Sequence, residues 1–422
     1  MSVIVKSQEI TIKKVDYNLE ALRGFAAVIV VWFHVILHKN LLDPAFQPSG
    51  IWAYLPPGHQ AVLVFFLLSG YVIELSTKQV ALTSASIPEY LKKRLVRIYP
   101  IYALSMLLTL LVAVHHYSFS TITNHFTLTQ ILFSPLIEEN NPVWSLHYEV
   151  LFYLLFIPLS YFRLSPLLMG LGALVVGIAT VRFYSTLHLP PLLSSYSVGF
   201  AFWLSGVALA RYVKQQVKKV PYALMLSMLL LLLAVQRFNL LDTVCRVLVT
   251  KLGFSLTFPD SVTWPEKIIP VVDLAYLPFC IGMLLIFSGK KFWLRRLIIA
   301  FLLLSPLYTF RYLYTQWGAY DVNEWVLPTV FYVAALVIYL LAKRLNSLAR
   351  PIIYLLSRTG TISYGLYIIH FPLLYGFSQI PFFSGSPYTF ITRAMLYLGV
   401  CLTLAYLLEK KFQPRVRVLL MK

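Results

Sequence analysis

Charged side chains are scarce in this sequence. Asp, Glu, Lys and Arg make up 12% of its 422 residues, where a soluble domain carries about 25%. So few charges cannot cover a soluble chain of this length, which excludes a soluble enzyme and a disordered chain. Cysteine is nearly missing too. Cys245, Cys280 and Cys401 lie far apart and form no C-x-x-C pair, so neither a zinc site nor a disulfide framework is expected. Strict alternation of apolar and polar residues is also absent. The apolar residues come in long runs instead, against a membrane β-barrel. Acidic residues number only 16 against 35 basic ones, a net charge of +19. On a soluble chain that balance would point to nucleic acid. On a chain solvated by lipid it marks the side of the membrane where loops collect Lys and Arg, and no nucleic-acid partner is expected.

What the sequence has in plenty is apolar length. Hydrophobic residues make up 59%, and the mean hydropathy is +0.75. A helix needs about twenty apolar residues to cross a bilayer. Twelve such stretches are legible, near 19–38, 60–76, 98–115, 147–163, 165–182, 196–212, 221–236, 268–288, 295–313, 326–343, 361–378 and 390–408. They imply an all-α fold, a polytopic transmembrane helix bundle of about 10–12 spans. No small-residue cleavage site follows the first stretch, so it is expected to stay as an anchor. With the N-terminus in the cytoplasm, 27 of the 35 basic residues fall on the inner side and 8 on the outer. That bias puts both termini in the cytoplasm. Residues 1–18 then form a cytoplasmic N-terminal segment, 19–410 a transmembrane domain and 411–422 a basic cytoplasmic tail. Two outer loops, 116–146 and 237–267, are long enough to carry function. No internal repeat is visible, which argues against a transporter built from two related halves.

A charge inside hydrocarbon is costly, so each one is a functional candidate. Arg23 and His34 lie in the first span, eleven residues apart. At about 100° per residue they share a helix face, with a rise of about 16 Å between them. Arg23 alone reads as a snorkelling side chain and His34 alone as a packing residue. Their shared face makes the pair a candidate site. Gly58 opens the second span, where Ser69-Gly70 suits close helix packing or a narrow ligand. Lys92, Lys93, Arg94 and Arg97 precede Pro100 and the third span. Lys92 and Lys93 read as a positive-inside stop. Arg94 and Arg97, one turn apart, suit phosphate binding. Glu149 follows Trp144-Ser145-Leu146 at the outer mouth of the fourth span, at about the depth of His34. A carboxylate there would fix an imidazole tautomer. Asp273 reads as structural. Ser363, Tyr367 and His370 fall at i, i+4 and i+7 on one face of the eleventh span, and Pro372 is expected to bend it.

In this order the motifs resemble the acyltransferase-3 family of integral membrane proteins, which acylate bacterial surface and exported carbohydrates. The resemblance rests on five elements. They are Arg23-x10-His34; Gly58 through Phe65-Phe66-x-x-Ser69-Gly70-Tyr71; Arg94-x-x-Arg97-Ile98-x-Pro100; Trp144-Ser145-Leu146-x-x-Glu149; and Ser363-Tyr364-x-x-Tyr367-x-x-His370-x-Pro372. Together they frame residues 17 to about 410. Two features depart from the family pattern. The surplus spans fall in a divergent region, 237–343, and Ala61 stands where the second motif usually has Gly. The stand-alone type is expected, without a hydrolase-like domain after the membrane part.

The resemblance implies transfer of an acyl group, most often acetyl, from cytoplasmic acyl-CoA to a hydroxyl of a carbohydrate or lipid-linked sugar. It implies a bacterial inner-membrane enzyme working beside membrane lipids and polysaccharide biosynthesis machinery. Acetyl-CoA would be a donor substrate, with no tightly bound cofactor and no metal. Arg94 and Arg97 would hold the CoA phosphates, with Arg23 and Ser69 along the donor path. His34 would be the general base, with Glu149 orienting it or binding sugar. Ser363, Tyr367 and His370 would orient substrate or stabilise the oxyanion. Direct transfer and an acyl-histidine intermediate both fit. The alternative is a transporter or flippase for a lipid-linked sugar.

Overall fold

The computed structural model describes residues 17–77, 80–213, 219–251, 256–290, 294–315, 318 and 321–421. Residues 1–16 of the expected N-terminal segment and Lys422 of the tail lie outside them. The described residues form helices and no strand. Eight helices build or frame the site. They are α1 (Tyr17–Leu37), α2 (Gly58–Ser76), α3 (Ile87–Val112), α4 (Trp144–Tyr161), α5 (Pro191–Tyr212), α6 (Ala342–Gly360), α7 (Ser363–Ser378) and α8 (Pro387–Tyr406).

Each of the twelve expected intervals holds a helix, but they are not twelve equal spans. Among the described residues nine helices are long and apolar enough to cross a membrane, or ten if α6 and α7 count as one broken span. Pro166–Arg182 and Val271–Phe287 are shorter apolar helices. The second of these starts as a 3-10 turn, Val271–Tyr276. Its length therefore falls short of the roughly twenty residues that a bilayer demands.

Glycine sets how closely the helices approach. α2 crosses α5 where a Cβ on Gly70 would lie 2.0 Å from the Trp203 carbonyl oxygen and one on Gly206 would lie 1.9 Å from that of Leu67. Only a missing side chain allows such contact between backbones. α1 crosses α6 in the same way through Gly24 and Gly360, whose Cβ positions abut the Leu356 and Glu20 carbonyls.

Prolines inside two helices each free a carbonyl, and a side chain from a neighbouring segment takes it up. Pro100 removes the donor that Val96 would need, and Gln413 Nε2 supplies one at 2.5 Å. Pro372 does the same to Ile368, whose carbonyl accepts from Ser105 Oγ at 2.6 Å. Satisfying such groups from outside the helix is what makes proline tolerable in a membrane. α7 stays helical through Pro372. The turn of 76° lies between α6 and α7.

The far ends of α1 and α8 are tied by Asp43, which is buried. Burial raises its carboxyl pKa, but donors on Ser384, Thr389, Gly385 and Ala45 outweigh that and hold it below its ordinary value. Arg393 adds a second tie through the carbonyls of Leu42, Phe377, Ile380 and Phe382. These contacts fix the end of α1 that carries His34 against α7.

Candidate active site

Ser69 sits beside the α2–α5 crossing, so its position is inherited from Gly70. Trp203 Nε1 on α5 donates to Ser69 Oγ at 3.3 Å. Ser69 donates onward to Glu149 Oε1 at 2.8 Å. The Tyr153 hydroxyl donates to the same oxygen. No described donor reaches Glu149 Oε2, which leaves that oxygen for an incoming group.

Glu149 lines a cavity of about 160 Å³ between α1, α2, α3, α4 and α7. Arg23, Arg94 and Arg97 bring three cationic groups to it, and Ser363 and Tyr367 reach it from α7. Two of the three cations already have partners. Arg23 meets Glu20 at 3.2 Å. Arg97 makes two bonds to Glu409, at 2.6 and 3.1 Å. Arg94 has no carboxylate partner among the described residues. It donates to Ser76 Oγ at 2.8 Å, and its Nε is buried with no hydrogen bond. Its guanidinium lies over the Tyr90 and Tyr153 rings, at 5.5 and 5.9 Å. Arg94 is therefore the cation of the three that meets no carboxylate and can pair with an anionic ligand. Ser363 Oγ is likewise buried and unpartnered.

Tyr367 forms the wall at the other end. Its hydroxyl lies 2.9 Å from the Pro142 carbonyl and 2.6 Å from Ser145 Oγ. Behind it stands a pair of histidines. His370 Nδ1 lies 2.6 Å from the Tyr367 carbonyl. A carbonyl only accepts, so this nitrogen carries the proton and His370 Nε2 carries the lone pair. His34 Nδ1 lies 3.1 Å from that Nε2 and 2.9 Å from the Val30 carbonyl. Facing two acceptors, it too must be the protonated nitrogen. The lone pair of His34 is thereby left on Nε2. His34 is partly exposed, with His38 stacked at 6.2 Å and Phe371 edge-on at 5.1 Å.

A family model described as an acyltransferase domain matches residues 16–258, more than half of the chain. The chain belongs to the acyltransferase-3 family. No curated protein and no solved structure matches it at a significant level.

In this acyltransferase seven of the nine expected site residues meet in one cavity: Arg23, Ser69, Arg94, Arg97, Glu149, Ser363 and Tyr367. His34 and His370 meet each other just beyond it, separated from it by Tyr367. The α7 residues lie outside the matched range, so their part in the site rests on geometry.

Two expectations need correction. Glu149 does not lie at the depth of His34. A Cβ on Gly58 would meet Phe33 at 2.3 Å, which sets the start of α2 level with the His34 end of α1. Ser69 is eleven residues further along, a rise of about 16 Å. Glu149 bonds to Ser69 and so lies level with Arg23, and it makes no hydrogen bond to His34. The tautomer of His34 is held by the Val30 carbonyl and His370 instead. Arg94 and Arg97 do not precede the third helix but project from its first turns, because Pro88 starts α3 at Ile87. Asp273 meets His59 Nε2 at 2.6 Å, which agrees with its structural reading.

Sequence reasoning gave no site role to Ser145, Tyr153, Trp203 and Glu409. Ser145 and Tyr153 flank Glu149 at i−4 and i+4, a spacing that places all three on one stripe of α4. That signal was available. Glu409 was not findable this way, since it lies 312 residues from Arg97.

Proposed function

We propose that this acyltransferase moves an acyl group, acetyl above all, from cytoplasmic acyl-CoA to a hydroxyl of a cell-surface or exported carbohydrate, in a bacterial inner membrane. One observation carries the reading. A cavity that holds a cation without a carboxylate partner, Arg94, ends at Tyr367, and a histidine with a free lone pair, His34, stands behind that residue. Arg94 binds the CoA phosphates, and Arg23 lines the donor path. Arg97 stays with Glu409 and shapes the cavity floor. The acyl-pantetheine arm runs past Ser69 and Ser363 toward Tyr367, which must turn aside for the thioester to reach His34. The acceptor hydroxyl gives its proton to His34 Nε2 as its oxygen attacks the thioester carbonyl. The C–S bond then breaks, and the proton passes to the leaving CoA thiolate. His370 keeps Nε2 of His34 unprotonated until that moment. Glu149 Oε2 is the acceptor for a hydroxyl or amide N–H of the bound substrate.

Mass analysis of surface glycans tests the reading as a whole. A strain lacking the gene should lose one acyl mass, and an unchanged glycan profile would refute it. The donor site has its own test. Arg94→Ala should weaken acetyl-CoA binding by about 1.5–3 kcal/mol, the cost of a lost charge-assisted contact. Lys92→Ala, on the exposed side of α3, should leave binding unchanged. Equal affinity in both variants and the unmodified protein would remove Arg94 from the donor site.

Orientation is open to a direct measurement. Cysteines placed at the exposed positions Thr123 and Arg415 should label from opposite faces with a membrane-impermeant reagent, Thr123→Cys from the periplasm. Labelling of both from one face would overturn the assignment of Arg94 to the cytoplasmic side.

A further inference from the structure

α6 separates its surface into three stripes. Ala349, Ile353, Ser357 and Gly360 are buried against α1 and the helix Tyr222–Val235. Beside them Leu348, Ile352 and Leu355 are exposed at 67%, 45% and 65%. At about 100° per residue these three fall within about 60° of one another. Lys343, Arg344, Arg350 and Arg358 occupy the adjoining sector. All four are exposed, and none forms an ion pair with a described carboxylate. An apolar stripe flanked by unpaired cations is the pattern of a helix lying in a membrane interface.

The turn into α7 supplies an independent observation. α7 is almost wholly apolar, is buried along most of its length and carries His370 inside the bundle. α6 departs from it at 76°. With α7 near the bilayer normal, α6 runs nearly parallel to the membrane plane. The apolar stripe then dips into the acyl chains and the cations lie at headgroup level.

We propose that α6 is an interfacial helix whose Lys343, Arg344, Arg350 and Arg358 bind the headgroups of anionic phospholipids in the enzyme's own membrane. Charge complementarity selects the occupant: four unpaired cations face a layer that holds negative charge. The contact reaches the site through the α1–α6 crossing, because Gly360 abuts the Glu20 backbone and Glu20 holds Arg23. The inference is independent of the acyl donor and acceptor, so it stands or falls apart from the proposed reaction.

Two measurements test it on the full-length protein in nanodiscs of phosphatidylcholine with 30% phosphatidylglycerol, a composition chosen as the probe. Spin labels at Leu348→Cys and Leu355→Cys should be accessible to oxygen, and labels at Lys343→Cys and Ser347→Cys to a water-soluble nickel relaxant. Water exposure at all four positions would place α6 off the membrane and overturn the proposal. Lipid retained through detergent purification and read by native mass spectrometry should be at least about fivefold enriched in phosphatidylglycerol. The enrichment should disappear in a variant carrying Arg344→Gln, Arg350→Gln and Arg358→Gln, which leaves the buried stripe intact. Equal retention of both lipids by the unmodified protein, or full enrichment in the variant, would refute the headgroup site.

Discussion

Replacing His34 with glutamine should reduce acyl transfer by about a hundredfold to ten-thousandfold, the range associated with losing a general base. Glutamine keeps a donor that can serve the Val30 carbonyl and His370 Nε2, the two acceptors that His34 Nδ1 faces. It has no lone pair that takes up a proton at neutral pH. Acetyl-CoA binding should stay near normal, because His34 does not line the cavity that holds Arg94. His370→Gln should cost less, since it disturbs the tautomer of the base and leaves the base in place. The readout is turnover of acetyl-CoA by the purified protein together with acylation of surface glycan in cells. Near-normal acylation by His34→Gln would make His34 a packing residue, and the base would have to be sought at Glu149 or His370.

The second large effect is expected from one methyl group. Gly206→Ala would set a Cβ 1.9 Å from the Leu67 carbonyl oxygen and 2.8 Å from the Tyr71 nitrogen. Both neighbours are backbone, so neither yields by a rotamer change, and α2 must move away from α5. Overpacking of this kind costs about 1–3 kcal/mol, and more where backbones collide. Displacement of α2 also carries Ser69 away from Trp203 and Glu149. The variant should therefore unfold at a lower temperature and bind acetyl-CoA more weakly. Gly172→Ala is the control. Its Cβ would meet nothing within 4 Å, so it should be neutral or gain about 1 kcal/mol from helix propensity. Equal thermal unfolding of both variants would mean that the α2–α5 crossing tolerates separation.

The membrane class and the helices were legible in the sequence because hydropathy reports them directly. Arg23 and His34 were legible as a pair because one helix face follows from eleven residues of spacing. Depth across different helices was not. Glu149 was placed by counting from an expected span start at 147, whereas the apolar helical stretch begins at Glu138, so Glu149 falls beside Ser69, level with Arg23. α6 lay in an interval with no apolar run, where hydropathy has nothing to detect and only a three-stripe pattern marks the helix. The commitment of Arg97 to Glu409 was out of reach, because pairing between the third helix and the last depends on tertiary contact.

The pairing of Arg97 with Glu409 bears on how the enzyme is made. The cavity takes Arg23 from near one end of the chain and Tyr367 from far along it, and the carboxylate that holds Arg97 lies in the π-helical stretch Leu407–Phe412. While the ribosome is still extending the chain, the first helices are in the membrane but the floor and one wall of the cavity are missing. A nascent chain that has not yet reached Glu409 therefore has no completed cavity. Any change that loads or displaces Leu407–Phe412 therefore reaches Arg97 and the cavity.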